Sequence, residues 1–258
     1  MKLFYRKFGQ GHPIIVLHGL FGSSDNWQTL GKKFSENYEV YLVDQRNHGQ
    51  SEHSETWDYP SMSDDLLQLM DDNNLEKVSI IGHSLGGKTA MYFALNHPDR
   101  ISKLIVVDIS PKQYPIHHQK ILDALNAVDL QKIKSRKEAE DILSNFIEDI
   151  GTKQFLLKNL YWKELGEDKE LDWRFNLSVI NSKIEIVGKE TVSPTSSLYQ
   201  TPVLFIRGER SDYILQNEHN LIYKVFPEAK IETVLNARHW VQADNPNDFL
   251  KVVEKFLK

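Results

Sequence analysis

The chain has 258 residues, 40% hydrophobic and 26% charged, which excludes a disordered, collagen-like or coiled-coil protein. Its 36 acidic residues outnumber 31 basic ones, and the net charge of −5 argues against a nucleic-acid-binding protein. The chain has no cysteine, which excludes disulfides, thiolate nucleophiles and thiolate metal sites.

Six short apolar runs predict strands that are buried on both faces. Runs rich in β-branched residues and leucine are typical of the strands of a parallel sheet. In chain order they are Pro13–Leu17, Glu39–Val43, Lys77–Ile81, Leu104–Val107, Pro202–Ile206 and Ile231–Leu235.

Amphipathic stretches between these runs predict helices. Ser61–Met70 carries Asp64 and Asp65 near its start, where negative charge suits the helix dipole. Leu85–Asn96 directly follows the third strand and stops before a proline, and Asp248–Leu257 closes the chain. Strands alternating with helices predict an α/β fold with a doubly wound, mostly parallel sheet.

The segment Pro111–Ser197 interrupts this alternation. It has amphipathic stretches but no convincing buried strand, and it is several times longer than an ordinary connection. We expect a helical cap at 111–197, inserted into a core domain formed by 1–110 and 198–258; ordinary crossover helices are the alternative. The helices predicted in this segment are Ile121–Val128, Lys137–Asp149 and Lys153–Leu160.

The most informative motif is Gly82-His83-Ser84-Leu85-Gly86, which fits G-x-S-x-G between a predicted strand and a predicted helix. This context predicts a nucleophile elbow, a sharp turn that exposes Ser84 Oγ at the carboxyl edge of the sheet. The Leu85 amide, at the positive end of the helix, is then placed to donate to an oxyanion. The alternative, a phosphate-binding turn, lacks both the G-x-G-x-x-G spacing and a P-loop lysine.

A nucleophilic serine needs a base, and the base needs an acid that orients it. His239 is the predicted base, because its loop follows the last predicted strand and reaches the same edge as Ser84. Two residues are candidates for the acid: Asp108 ends the fourth predicted strand, and Asp212 follows the fifth. Each aspartate alone also fits a turn or a helix cap.

The loop 18–22 after the first strand is expected to supply the second oxyanion donor. We favour the Leu20 amide, with that of Phe21 as the second choice. The Phe21 side chain would then help to line the acyl pocket, and Trp240, beside His239, is a further candidate for contact with substrate. The alternative is a tight turn that merely contains two glycines.

The sequence contains no H-E-x-x-H motif, and His97, His117 and His118 lack partners at ligand spacing, so we expect no metal site. The N-terminus lacks the apolar core of a secretory signal, and no apolar run approaches the roughly 18 residues of a membrane span. We therefore expect a cytoplasmic protein that acts on a small molecule, with no nucleic-acid partner.

These motifs together resemble the α/β-hydrolases. More narrowly, they resemble the bacterial esterase family typified by YbfF and a related group of eukaryotic α/β-hydrolase-domain esterases. This resemblance implies a carboxylesterase or acyl thioesterase that needs no cofactor. The matching stretches cover nearly the whole chain and lie at 18–23, 44–49, 82–88, 108–111, 154–158, 173–176 and 239–241.

The resemblance also bears on the acid. In many α/β-hydrolases the acid follows the next-to-last strand, at a position that matches Ser211 here. In the esterase branch it follows the strand after the elbow, which matches Asp108. Asp108 is therefore the favoured acid, and Asp212, beside the other position, remains the alternative.

Two further stretches bear on substrate binding. Arg46 and His48, in the loop after the second predicted strand, are expected to be structural rather than to contact substrate. Tyr161–Leu171 is expected to be a cap loop longer than that of the bacterial esterases, which leaves the size of the substrate open.

The expected chemistry is acyl transfer to water. His239 takes the Ser84 proton as the oxygen attacks an ester or thioester carbonyl, and water then hydrolyses the acyl-serine. Alternatives on the same fold are a C–C bond hydrolase and a cofactor-free haloperoxidase. A ligand receptor without catalytic activity is the alternative from another class.

Overall fold

The computed structural model describes residues 1–116, 118–165, 168–190 and 200–258. Its strands are β1 (Tyr5–Phe8), β2 (Pro13–Leu17), β3 (Glu39–Val43), β4 (Val78–His83), β5 (Ile101–Val107), β6 (Leu160–Leu165), β7 (Asp168–Trp173), β8 (Val203–Gly208) and β9 (Lys230–Val234). Seven of them form one sheet in the order β1-β3-β2-β4-β5-β8-β9. All neighbours pair in parallel except β1 and β3, so the predicted, mostly parallel sheet is confirmed.

Helices cover both faces of this sheet. They are α1 (Gln28–Phe34), α2 (Tyr59–Asp72), α3 (Leu85–Asn96), α4 (Gln119–Ala127), α5 (Arg136–Ser144), α6 (Ile150–Leu157), α7 (Leu177–Ser182), α8 (Glu185–Gly188), α9 (His219–Val225), α10 (Val241–Asp244) and α11 (Pro246–Leu257). Ile15 packs in an apolar cluster with residues of α2 and α3, whereas its neighbour Ile14 packs with residues of α1 and α11. The strands are thus buried on both faces, as their continuous apolar runs predicted.

All six predicted strands occur, β2 and β3 with the predicted bounds. The edge strand β1 was not predicted. Its sequence, Tyr-Arg-Lys-Phe, has two charged residues at its centre and no apolar run, and it becomes a strand by pairing with β3.

Between β5 and β8 the chain forms α4 to α8 and an antiparallel hairpin of β6 and β7. The hairpin is the main departure from prediction: the stretch Tyr161–Leu171, expected to be a loop, belongs largely to it. The hairpin carries charged residues and the half-exposed Trp162, so its sequence lacks the continuous apolar run that predicts a buried strand. The division into a core and a cap at 111–197 stays a prediction, since the second boundary falls within 191–199, outside the described residues.

Helix α2 corrects one electrostatic expectation. It begins two residues earlier than predicted, and Asp58 caps it by accepting a hydrogen bond from the Ser61 amide at 2.8 Å. Asp65 therefore lies beyond the first turn, where it binds the Arg46 guanidinium through two contacts of 2.6 and 2.8 Å. Asp65 is an internal counter-ion rather than a group that acts on the helix dipole.

Candidate active site

Ser84 occupies a strained turn between β4 and α3. Its backbone has φ +52° and ψ −116°, a region of backbone angles that residues other than glycine rarely adopt. Close packing holds the turn: a Cβ on Gly82 would lie 2.3 Å from the Gly86 carbonyl oxygen, and one on Gly86 would lie 2.6 Å from the carbonyl oxygens of Leu17 and His18. This is the geometry of a nucleophile elbow, at the carboxyl edge of the parallel strands.

Asp108 and His239 meet at the same edge. Asp108 is fully buried immediately after β5, and its Oδ2 lies 2.9 Å from His239 Nδ1. The Gly208 amide donates to Asp108 Oδ1 at 3.0 Å, and the Ser211 hydroxyl donates to Oδ2. Three donors therefore converge on one carboxylate.

Asp212 stands apart from this group. It is exposed, and no hydrogen bond joins it to His239 among those of the described residues. Ser211, which the sequence analysis considered only as the occupant of another family acid position, instead donates to the Asp108 carboxylate.

Two neighbours fix the His239 imidazole and its backbone. The Tyr213 ring stacks on it with centroids 3.8 Å apart and an interplanar angle of 16°. His83 Nε2 donates to the His239 carbonyl oxygen at 2.9 Å. Burial lowers the pKa of His83 to about 3, so its imidazole is neutral at physiological pH.

Ser84 and His239 line one open cleft, whose empty space, open solvent included, amounts to about 740 Å³. A smaller, more enclosed cavity also reaches Ser84, and it has room for little more than one water-sized group. The cleft is bounded by Leu20, Phe21, Ile121, Thr152, Phe155, Leu156 and Trp240, among others. The small cavity is bounded by Leu85, Ile109, Tyr114, Ile116, Ile184, Val187 and Gly188, among others. Both are walled mainly by apolar side chains, so hydrocarbon groups suit them.

The loop after β2 forms a turn in which the Gly22 amide donates to the Gly19 carbonyl at 2.9 Å, with Phe21 at φ +58°. Within the described part of the chain, neither the Leu20 amide nor the Leu85 amide donates to a backbone carbonyl outside the regular elements. Leu20 lines the cleft and Leu85 the small cavity, in both cases together with Ser84. Each of these residues thus borders a cavity that Ser84 also borders, and their role as oxyanion donors stays a prediction.

The His18 side chain holds this loop in place. Its Nδ1 donates to the Gly19 carbonyl at 2.8 Å, while its Nε2 accepts from the Gln45 amide at 3.0 Å. Burial lowers the pKa of His18 to about 4, which keeps the imidazole in the neutral form that these two contacts require.

The loop after β3 is tied to the protein interior. Arg46 is bound by Asp65, and His48 Nδ1 donates to the Arg46 carbonyl at 3.0 Å. Neither side chain lines the cleft. These contacts are those of a structural loop.

Sequence reasoning missed three groups near the site: Tyr213, His83 and the donor role of Ser211. Only the position of His83, next to the predicted nucleophile, gave a local signal. In the described ranges, no group of three or more histidine, aspartate or glutamate residues is arranged to hold a metal ion. No helix in those ranges has the length and apolarity needed to cross a membrane.

Comparisons with known proteins agree with this architecture. The profile described as "alpha/beta hydrolase fold" matches residues 12–134. The chain is 39% identical over 252 residues to the Mus musculus "sn-1-specific diacylglycerol lipase ABHD11", covering 95% of this chain and 80% of that one. It is 34% identical over 247 residues to "Esterase YbfF" of Escherichia coli, covering 95% of this chain and 92% of the other.

A solved structure described as "Marine microorganism esterase" superposes with a TM-score of 0.94 at 41% identity, over 99% of both chains. The likeness therefore extends beyond the elbow motif to the helices and hairpin between β5 and β8. Since relatives this similar match almost the full length of this chain, the protein belongs to the α/β-hydrolase fold family.

Proposed function

We propose that this protein is a serine hydrolase that cleaves carboxylic esters through an acyl-serine intermediate. Ser84 is the nucleophile, His239 the base and Asp108 the acid. The observation that carries the proposal is the contact of His239 Nδ1 with the buried Asp108 carboxylate, on the cleft that Ser84 also lines. The relatives named esterase and diacylglycerol lipase favour ester substrates over C–C bond hydrolysis, haloperoxidase chemistry or a receptor role.

In this mechanism Asp108 keeps the Nδ1 proton on His239, so that Nε2 has a free lone pair. Nε2 takes the proton of Ser84 while Oγ attacks the ester carbonyl. The Leu20 and Leu85 amides stabilise the negative oxygen, and in comparable sites the loss of one such donor raises the barrier by about 3 to 4 kcal/mol.

The tetrahedral intermediate collapses when His239 gives its proton to the leaving alkoxide, and the alcohol departs. Water then attacks the acyl-serine, His239 takes a proton from the water, and a second collapse releases the carboxylic acid and restores Ser84. Asp108 remains ionised throughout and stabilises the imidazolium. Acyl thioesters fit the same steps, with a thiol as the leaving group, and are part of the proposal.

Phe21 and Trp240 are proposed to contact the substrate, since both line the cleft, and the rings of Trp240 and Phe155 pack against each other at 5.0 Å. The segment 111–197 is proposed to act as a cap, because Phe155 in that segment forms part of the cleft wall. A cytoplasmic location stays a prediction.

The test is hydrolysis of p-nitrophenyl acetate and butyrate by the wild type and by Ser84→Ala, with the exposed Ser144→Ala as a control. We expect Ser84→Ala to lose at least about a thousandfold in kcat and Ser144→Ala to match the wild type. A fluorophosphonate should label the wild type and not Ser84→Ala, because only an activated serine reacts with it. Equal hydrolysis by all three proteins would refute the proposal.

A further inference from the structure

The side chain of Lys88 is fully buried close to Ser84, yet the proposed reaction does not use it. Its exposed fraction is 0%, and its backbone N–H donates to the Ser84 carbonyl at 3.0 Å, which places it one turn after the serine on α3. Burial lowers the pKa of Lys88 to about 7. A cation in such a position destabilises the fold unless its N–H groups find acceptors.

The acceptors of Lys88 are backbone carbonyls from two distant parts of the chain. Nζ donates to the carbonyl oxygens of Lys112 at 2.6 Å and Lys189 at 2.9 Å, and a longer contact of 3.5 Å reaches that of Pro111. An ammonium has three N–H donors, which matches these three acceptors. Pro111 and Lys112 lie shortly after β5, and Lys189 directly follows α8. The Lys88 side chain therefore joins a stretch just after β5 to a stretch just after α8, both within the segment between β5 and β8.

The stretch after β5 and the end of α8 are also hydrogen-bonded to each other beside the small cavity. The Tyr114 amide donates to the Gly188 carbonyl at 2.7 Å, and a Cβ on Gly188 would lie 2.4 Å from the Tyr114 carbonyl oxygen. Tyr114, Val187 and Gly188 line the small cavity together with Ser84. The carbonyls that Lys88 holds therefore belong to the stretches that form one wall of that cavity.

The same wall reaches the proposed base. The Tyr114 hydroxyl donates to the Tyr213 carbonyl at 2.6 Å, and the Tyr213 ring is stacked on His239. A shift of the stretch after β5 would consequently move a wall of the cavity and the ring that packs on the imidazole.

We propose that Lys88 is a positioning residue that sets the width of the small cavity beside Ser84 and thereby selects the substrate group that enters it. It does so by holding the carbonyls of Lys112 and Lys189 together. The occupant is a small apolar group of the ester, since Ile109, Ile184 and Val187 wall with apolar surface a cavity that has room for little more than one water-sized group. The inference rests on the proposed esterase function.

The test compares Lys88→Met, which keeps the side-chain length and removes the donors, with Lys103→Met. Lys103 is a matched control because its Nζ also donates to two carbonyls, those of Phe256 at 2.9 Å and Leu257 at 2.7 Å, and it does not line either cavity. KM and kcat are measured for p-nitrophenyl esters from acetate to octanoate and for alkyl acetates from ethyl to octyl, together with the Tm of each variant.

We expect Lys88→Met to raise KM about tenfold for the preferred chain length, to change kcat less, and to flatten the length dependence in one of the two series. Lys103→Met should lower Tm and leave KM and the length dependence unchanged. A merely structural lysine would lower Tm in both variants without altering chain-length selection, and that result would overturn the proposal.

Lys88→Gln keeps two N–H donors on a shorter side chain, and it should restore part of the KM and of the length dependence. If Lys88→Met does not fold, Lys88→Gln is compared with the wild type directly. When Lys88→Met folds, a wild-type length dependence in Lys88→Met would overturn the positioning role. When only Lys88→Gln folds, a wild-type length dependence in Lys88→Gln would overturn it, because the shorter side chain should restore the contacts only in part. Failure of both variants to fold would also overturn it. Absence of ester hydrolysis by the wild type would instead refute the proposed function.

Discussion

Replacing Asp108 by asparagine tests the proposed acid with almost no change in shape. In the wild type, Oδ2 accepts from His239 Nδ1 and Ser211 Oγ, and Oδ1 accepts from the Gly208 amide. An asparagine side chain has one oxygen and one NH₂ group, so one orientation points N–H at Gly208 and the other points it at His239. In either orientation two N–H groups face each other. When the asparagine N–H faces His239, the clash is relieved if the imidazole carries its proton on Nε2, but Nε2 can then no longer accept the proton of Ser84.

The expected loss follows from these contacts. A wrong tautomer reduces kcat by about 10⁴ in a comparable triad, which corresponds to about 5 kcal/mol of barrier. The free energy of unfolding should fall by only about 1.5 to 3 kcal/mol, since one hydrogen bond to a charged group is lost. A folded but almost inactive enzyme is therefore the expected result.

The assay is hydrolysis of p-nitrophenyl butyrate by the wild type, Asp108→Asn and Asp212→Asn, with urea unfolding of all three. Asp212→Asn is the matched control because it makes the same chemical change at an exposed position four residues beyond β8. It should reduce kcat/KM less than about twofold. Retention of more than about a tenth of the activity by Asp108→Asn, or a larger loss in Asp212→Asn, would contradict the assignment of the acid.

Three further outcomes are expected. Gly86→Ala should prevent stable folding or lower Tm sharply, because its Cβ would lie 2.6 Å from two backbone carbonyl oxygens; a wild-type Tm would contradict this packing argument. His18, His48 and His83 have pKa values lowered by burial to about 4, 3 and 3. Below about pH 6.5 the unfolded chain therefore binds more protons than the folded one, so the free energy of unfolding falls with falling pH by up to about 1.4 kcal/mol per pH unit for each histidine. Equal urea midpoints at pH 7 and pH 5 would contradict the neutral, buried state of these histidines. Ser211→Ala should reduce kcat about tenfold or less, by removing one donor from the buried carboxylate, and a loss as large as that of the nucleophile variant would give the hydroxyl a different role.

The parts of the fold that the sequence predicts are those with a local cause. β2 and β3 have the predicted bounds because each is a continuous apolar run that must be buried on both faces. The serine turn is equally local, since its glycines, its preceding strand and its following helix lie within a few residues of one another. The identity of α3 follows from the same stretch, and its bounds are those predicted.

The remaining features depend on contacts between distant residues. β1 and the hairpin of β6 and β7 carry charged residues, and they become strands through their partners rather than through apolar runs. Asp108 and Asp212 both follow a strand, so their positions alone did not distinguish them as the acid. Only the family resemblance favoured Asp108. The contact of Ser211 with Asp108 spans 103 residues, and nothing in either local sequence indicates it.

The hydrogen bond from His83 to the His239 carbonyl has a consequence for attempts to transplant this site. Residues 83 and 239 are 156 positions apart, yet the histidine that immediately precedes the proposed nucleophile also anchors the main chain of the proposed base. A graft that copies only the serine, the imidazole and the carboxylate into another scaffold would omit this brace and leave the base loop free to drift. The smallest part that a graft has to include is the dipeptide His83-Ser84 together with the loop around His239, to which His83 is hydrogen-bonded.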